Sequence, residues 1–272
     1  MNLNLSNKKF NIMGILNITP DSFYDGGKYT NLDNVMFRVE QMISEGMDII
    51  DIGGESSRPG SERISIQEEI DRLLPVVSKI RDNYDIPISI DSMKPDVIFE
   101  LLPYKINIIN DISSISDMRF INIIKENNTY ICLMHMLDNP ETMQNNPDYS
   151  CVVSTVKSYL EDRVKFCISH GISKDKIIID PGFGFGKTLD HNYEILHKLK
   201  ELSIVNSNIL IGISRKSMIG SLLNKDIDDR LNGSIAGAVI ALLNNAKIIR
   251  THDVRKTKIA IHVAENIIGN EL

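Results

Sequence analysis

Eight short apolar runs, each closed by a polar residue, constrain the fold of this chain more than any other feature. They are rich in Ile, Val, Leu and Met and lie at residues 10–18, 47–54, 86–92, 106–113, 129–136, 176–182, 208–214 and 247–253. The runs are apolar throughout instead of alternating, which is typical of parallel strands that are covered by helices. Helical spacing between the runs is clearest at 32–45, 67–83, 152–169, 191–202 and 254–268.

Eight strand-then-helix units in 272 residues predict an α/β fold of one kind, a single (β/α)8 TIM barrel. No linker, low-complexity tract or internal repeat interrupts the units, so we expect one domain over residues 1–272. The alternative is an open, doubly wound parallel sheet, and the count of eight runs favours the barrel over it.

Polar side chains stand at or near the C-terminal end of every run, and this is the end of a barrel on which sites are built. They are Asn17, Asp51, Asp91, Asn110, His135, Asp180, Ser214 and His252. One such residue alone is more often a helix cap or a turn residue. Eight of them converging on one rim indicate a binding or catalytic site.

Composition narrows the classes of function. A net charge of -6 argues against a nucleic-acid-coating surface, so any anion site must be local. The first ten residues lack the apolar core of a signal peptide, and no run approaches the roughly 18 apolar residues of a membrane span. We therefore expect a cytoplasmic protein without nucleic-acid or membrane partners.

The cysteines are three in number and lack Cys-x-x-Cys spacing, which supports neither a disulfide framework nor a zinc site. We expect Cys132, Cys151 and Cys167 to be packing residues.

The segment 180–192, DPGFGFGKTLDHN, suggests a phosphate-binding loop because three glycines precede a lysine and a threonine. Pro181 stands where the first glycine of a Walker A loop would be, counting back from Gly186. Gly182, Gly184 and Gly186 also lack the last spacing of the dinucleotide fingerprint. The segment matches neither kind of nucleotide loop.

The polar rim suits non-covalent chemistry. The sequence has no Gly-x-Ser-x-Gly elbow, no paired-histidine metal motif and no cysteine beside a partner histidine. Carboxylates and carboxamides suit a flat heterocycle that is rich in hydrogen-bond donors, and these are Asp91, Asn110 and Asp180. Cations suited to phosphate oxygens form a second set: Arg58, Arg63, Lys216 and Arg250, with His252 beside Arg250. Because Arg250 lies inside an apolar run, its burial requires an anionic partner.

The connections 19–30 and 53–63 are longer than usual strand-to-helix loops and combine Gly, Pro, Ser and charged residues. Long loops on this face of a barrel are often lids, so we expect both to be mobile until substrate arrives.

Seven motifs together resemble the dihydropteroate synthase family. They are MGILNITPDSFYDGG, DIGGESSRPG, IDS, INDIS, DPGFGFGKTLDHN, GISRKSMIG and RTHDV, in the family's order over residues 10 to 255. The resemblance implies a pterin-binding (β/α)8 barrel and a transferase of folate synthesis that is the target of sulfonamides. Its members join 6-hydroxymethyl-7,8-dihydropterin diphosphate to p-aminobenzoate with Mg2+, releasing pyrophosphate before the arylamine attacks, and they are generally homodimers.

The resemblance also assigns roles to individual residues. It implies that the pterin is bound by Asp91, Asn110, Met134, Asp180 and Lys216. The expected diphosphate contacts are Asn17, Arg58, Arg250 and His252, and Asn17 is also the expected metal contact. The p-aminobenzoate pocket is expected to contain Phe23, Ser57, Arg58, Pro59, Phe185, Ser214 and Lys216. Expected to take part in catalysis are Asn17, Lys216, Arg250 and His252.

Some positions depart from the family pattern or carry no role in it. Ser57 replaces a frequent threonine, and Tyr24 stands where relatives often have a small residue, so either could alter lid closure. His135 is expected to be structural, and Lys187 and Thr188 to cap the following helix.

Several alternatives stay open at this point. A pterin-binding methyltransferase domain and a noncatalytic pterin-binding paralogue are the rival family assignments. The diphosphate motifs argue against the methyltransferase, and the presence of Asn17, Arg250 and both lid loops argues against the paralogue. The residues alone indicate only a phosphate-handling barrel enzyme. The apolar segment 233–246 suits a helix that packs on its own barrel or against a second subunit.

Overall fold

The computed structural model describes residues 3, 5, 8–19, 32–56, 61–138 and 142–269, without the side chains of residues 268 and 269. Eight parallel strands form one sheet in the order β6-β5-β4-β3-β2-β1-β8-β7. They are β1 (Asn11–Asn17), β2 (Ile49–Gly53), β3 (Ile88–Asp91), β4 (Ile108–Asp111), β5 (Tyr130–Met134), β6 (Ile177–Asp180), β7 (Leu210–Ile211) and β8 (Ile248–Thr251).

The sheet closes on itself between β6 and β7. Ile179 forms a parallel bridge with Ile209, just ahead of β7, and the Ile179 N–H donates to the Asn208 carbonyl at 2.9 Å. This closure confirms the predicted (β/α)8 barrel and excludes the open sheet. Each of the eight apolar runs contains one strand.

Helices lie between the strands and cover the barrel. They are α1 (Leu32–Ser44), α2 (Ile66–Asn83), α3 (Pro95–Leu101), α4 (Arg119–Asn127), α5 (Val152–Ser169), α6 (Leu189–His197), α7 (Ser217–Leu223), α8 (Leu231–Leu243) and α9 (Val254–Gly269). The five segments with clear helical spacing are confirmed, although 191–202 is divided between α6 and a 3-10 turn at Leu199–Ile204.

Side chains along each strand alternate between two separate apolar cores. The outer core, between sheet and helices, contains residues such as Ile50, Ile109 and Ile249. The inner core fills the lower barrel and consists of Leu5, Met13, Ile49, Ile108, Tyr130, Cys132, Ile178, Leu210 and Ile248, with Leu3 packed against it. The Tyr130 hydroxyl donates to the Leu3 carbonyl at 3.2 Å, so Leu3 and Leu5 lie at the bottom of the barrel.

Residues two positions apart on a strand point to the same side of the sheet, so the pattern continues to the C-terminal ends of the strands. Four inner-core residues, Ile49, Ile108, Ile178 and Ile248, each stand two positions before a polar residue. Those polar residues therefore also face the barrel interior, one layer closer to the C-terminal rim. They are Asp51, Asn110, Asp180 and Arg250.

The structure describes the surroundings of all three cysteines. Cys132 and Cys167 are buried, but Cys151 is exposed at the start of α5, so the packing role expected for Cys151 is wrong. Within the part of the chain that the structure describes, no helix is both long enough and apolar enough to cross a membrane.

Candidate active site

A polar layer lies inside the barrel mouth, directly above the inner core. Arg250 donates from Nε to Asp51 Oδ2 at 2.6 Å and from Nη2 to Asp91 Oδ2 at 2.7 Å. Asn110 Nδ2 donates to the same Asp51 oxygen at 3.2 Å. The anionic partner that a buried Arg250 requires is thus supplied twice, by strands β2 and β3.

Burial perturbs the acids and the lysine of this layer. The pKa of Asp91 is raised to about 7, because burial outweighs the attraction of Arg250 and the nearby Asp51 adds repulsion. The pKa of Asp180 is also raised by burial, with Lys216 opposing the shift. Burial lowers the pKa of Lys216 to about 8, against the attraction of Asp180. Because these three groups are poorly solvated when charged, hydrogen bonds with a ligand stabilise their charged forms.

The glycine loop that follows β6 holds Asp180 in place. The Gly182 N–H donates to Asp180 Oδ1 at 2.7 Å. Gly182 has φ of 68°, and a Cβ added there would lie 2.0 Å from the His135 carbonyl oxygen. Only glycine fits this turn, because the backbone approaches β5 so closely.

Lys187 fixes the same loop from below. Its buried ammonium lies 2.8 Å from the Gly182 carbonyl, 3.0 Å from the Phe185 carbonyl and 3.0 Å from His135 Nδ1. Lys187 therefore does not cap α6, contrary to the sequence-based expectation. Thr188 does cap that helix, and its hydroxyl accepts from the His191 N–H at 3.2 Å.

Lys216 and Phe185, both predicted for the p-aminobenzoate pocket, are in contact at one side of the layer. The Lys216 ammonium lies 4.6 Å from the centre of the Phe185 ring and donates to the Phe183 carbonyl. Met134 is buried and pairs with Asp180 in the register of β5 and β6, which places it at the edge of the polar layer.

The residues predicted to hold the diphosphate divide between two places. Asn17 and His252 line an open cleft of about 580 Å³ beside α1 and α9. Arg250 is instead bonded within the interior layer. Ser214, predicted on the p-aminobenzoate side, accepts from the His252 N–H at 3.2 Å and so lies with the cleft residues.

Cations outnumber acids along that cleft, which is also lined by Glu45 and Asp253. Its lining includes Arg38, Arg215, Arg255 and Lys256. Arg38 Nη2 donates to the His252 carbonyl at 2.7 Å, and Arg215 Nη2 lies 2.7 Å from Asp253 Oδ1. The cleft therefore carries a local excess of positive charge on a chain whose net charge is -6.

Several predicted residues lie outside the described part of the chain, namely Phe23, Tyr24, Ser57, Arg58 and Pro59. Residues 20–30 of the first predicted lid loop and residues 57–60 of the second lie there as well. Arg63 is described, and its guanidinium lies 3.5 Å from Glu55.

Sequence reasoning does not foresee the contacts that three residues make in and around this layer. Asp51 was recognised on the rim but not as the partner of Arg250, although its position two residues after inward-facing Ile49 signals its direction. Lys187 was interpreted as a cap. Nothing in the sequence marked Arg38, which lies on the face of a helix.

The sequence is similar to those of known proteins. Residues 13–252 match the family described as pterin binding enzyme. The dihydropteroate synthase of Escherichia coli K12 is 47% identical over 254 residues, which cover 93% of this chain and 90% of that protein. The Haemophilus influenzae enzyme is 47% identical over 246 residues, 90% of each chain.

Solved structures give the same result for the fold. Yersinia pestis dihydropteroate synthase in complex with a sulfonamide drug superposes with a TM-score of 0.91 at 42% identity, covering 98% of this chain and 96% of that one. Xanthomonas albilineans dihydropteroate synthase with 4-aminobenzoic acid gives 0.89 at 33% identity, covering 95% and 93%. The chain described here belongs to the dihydropteroate synthase family.

Proposed function

We propose that this chain, as one barrel domain, condenses 6-hydroxymethyl-7,8-dihydropterin diphosphate with p-aminobenzoate to give 7,8-dihydropteroate and pyrophosphate. Membership of the family supplies the reaction. The observation that carries it for this chain is the buried polar layer at the C-terminal end of the barrel, which combines Asp91, Asn110 and Asp180. Fixed acceptors at this depth suit a flat ring that carries several N–H donors.

The pterin binds in the polar layer. The carboxylates of Asp91 and Asp180 accept from its amino and ring N–H groups, and the Lys216 ammonium donates to its carbonyl oxygen. Met134 and the inner core below supply an apolar floor. The p-aminobenzoate lies on the side of Phe185 and Lys216, together with the predicted residues of the two lid loops.

Bond breaking precedes bond making. The C–O bond between the pterin methylene and the diphosphate breaks, and its electron pair leaves with pyrophosphate. The electron-rich pterin stabilises the methylene cation, and the nearby carboxylates of Asp91 and Asp180 lower the energy of that positive charge. The neutral arylamine nitrogen then forms the C–N bond and loses its proton to water, so no strong general base is needed.

The cationic cleft receives the leaving group. Asn17 and His252 contact the diphosphate there, with Arg58 from the lid, and Arg250 completes the predicted set from the interior layer. The donor groups of these residues stabilise the negative charge that grows on the departing pyrophosphate.

Mg2+ fits this donor set as an ion that arrives with the substrate. Among the residues that the structure describes, no three His, Cys, Asp or Glu side chains form a metal-binding group. Mg2+ is commonly held by phosphate oxygens, water and few protein ligands, and the Asn17 carboxamide oxygen at the cleft can be one of them. When bound, the ion neutralises negative charge on the diphosphate.

A homodimer is part of the proposal. Large apolar side chains are exposed on neighbouring helices α8 and α9, namely Ile240, Leu243, Ile259, Val263 and Ile267. Such a surface is typical of a subunit interface. Sedimentation equilibrium at micromolar concentration should give twice the 30.7 kDa chain mass, and a monomer mass would contradict this part.

We also place the enzyme in the cytoplasm. All three cysteines are free thiols, which fits a reducing compartment.

The assay of the function uses purified chain with dihydropterin diphosphate, p-aminobenzoate and Mg2+, and follows pyrophosphate release and product mass. Dihydropteroate should form with the native chain and with Lys198→Met, a lysine half exposed on the surface. Lys216→Met should lose most of the activity. Pterin binding without product would favour a noncatalytic pterin-binding protein, and methyl transfer from a methylated pterin would favour the methyltransferase.

A further inference from the structure

Asp51 is a buried acid to which the proposed reaction gives no role. It has no exposed surface, and it lies on β2 between Ile15 of β1 and Ser89 of β3 in the sheet register. One oxygen, Oδ2, accepts from both Arg250 and Asn110. The other, Oδ1, has no hydrogen-bond partner among the described residues.

The contact with Asp51 decides which way the Asn110 carboxamide points. A carboxylate only accepts hydrogen bonds, so the group of Asn110 that faces it must be the NH2 and not the oxygen. The Asn110 oxygen is therefore turned away from Asp51. Asn110 is 4% exposed, so rotation of its amide within the packed layer is restricted.

Asp51 also sets the plane of the Arg250 guanidinium. Nε is fixed by Asp51 and Nη2 by Asp91, so two points define its orientation. Without Asp51, the guanidinium keeps only the Asp91 contact and can rotate about it.

We propose that Asp51 is a positioning residue for pterin recognition, which turns the Asn110 oxygen toward the ligand and holds Arg250 in one plane. This inference rests on the proposed function. With Asp51 in place, the ligand meets three acceptors, from Asp91, Asn110 and Asp180. Such a layer selects pterin, which carries a 2-amino group, against lumazine, the pteridine that carries an oxygen there.

Two substitutions separate this role from a purely electrostatic one. Asp51→Leu removes both the charge and the acceptor. Asp51→Asn removes the charge as well, but its amide oxygen can take the place of Oδ2 and accept from Arg250 and Asn110. A positioning role predicts that the asparagine variant recovers most of the function, whereas a role of charge alone predicts that both variants fail equally.

The measurement is titration calorimetry with 6-hydroxymethylpterin and 6-hydroxymethyl-lumazine. Asp51→Leu should weaken pterin binding by about 10- to 100-fold and lower the preference for pterin over lumazine, because Asn110 is free to turn its amide. Asp51→Asn should stay within about fivefold of the native chain. Asp71→Leu, on the exposed face of α2, is the matched control.

Unfolding curves establish that each variant is folded, and Asp51→Ala replaces the leucine variant if leucine does not fit. Equal losses in the asparagine and leucine variants, or native-like binding by the leucine or alanine variant, would overturn the proposal for Asp51. Failure of the native chain to bind pterin at all would instead overturn the proposed function.

Discussion

Replacing Arg250 by leucine tests the polar layer most severely. Arg250 is the cation that joins a fully buried Asp51 to Asp91, whose side chain is 19% exposed. Its removal leaves two carboxylates in the barrel interior with Asp180 nearby. Loss of one partner of a buried ion pair costs about 3–5 kcal/mol, so we expect the free energy of unfolding to fall by at least that amount.

The loss should depend on pH. The folded-state pKa of Asp91 is about 7, above its usual value of 3.8, so the stability linked to this group is complete at low pH and is lost as the pH rises through about 7. Without Arg250 that pKa rises further, and each additional unit costs about 1.4 kcal/mol where the acid is ionised. Arg250→Leu should therefore be more destabilising at pH 8 than at pH 5.5.

Urea unfolding at both pH values is the assay. Arg215→Leu is the matched control, because Arg215 also pairs with an aspartate, Asp253, but its side chain is 36% exposed. We expect the control to cost about 1 kcal/mol or less at either pH. The reasoning is refuted if Arg250→Leu costs no more than the control, or costs the same at pH 5.5 and pH 8.

Three further predictions follow from the site. Pterin affinity should rise as Asp91 ionises through about pH 7 and fall above about pH 8 as Lys216 loses its proton; affinity at pH 6 should be about tenfold below its maximum, and calorimetry that gives a flat profile would contradict both assignments. Gly182→Ala should destabilise the fold by about 3 kcal/mol or more, since the new methyl would overlap the His135 carbonyl in a left-handed turn; an unchanged melting temperature would contradict that packing. Iodoacetamide should label Cys151 alone in the native protein, as intact mass reports, because the other two cysteines are buried; a second label would contradict their burial.

The barrel could be predicted from the sequence because its signal is local and repeated. Each strand lies in a short run that is rich in Ile, Val, Leu and Met, and a polar residue at or near its C-terminal end marks the rim. The start of α2 also has a local signal, because the Ser65 hydroxyl accepts from the Glu68 N–H. These features do not depend on which strands become neighbours.

The side-chain pairings could not be predicted in the same way. Asp51 and Arg250 are 199 residues apart and meet only because the closed barrel brings β2 and β8 to opposite sides of β1. Alternation gives the inward direction of each residue but not its partner. Lys187 illustrates the same limit, because its position before a helix resembles a cap until the loop folds back onto β5.

The most direct test of the account is a crystal structure of the chain with 6-hydroxymethylpterin. We expect the pterin ring to lie in the polar layer. The side-chain oxygens of Asp91, Asn110 and Asp180 should accept hydrogen bonds from its N–H groups, and Lys216 should donate to its carbonyl oxygen. A pterin bound instead in the cleft beside α1 and α9, or no pterin in the barrel mouth under saturating conditions, would contradict the central claim.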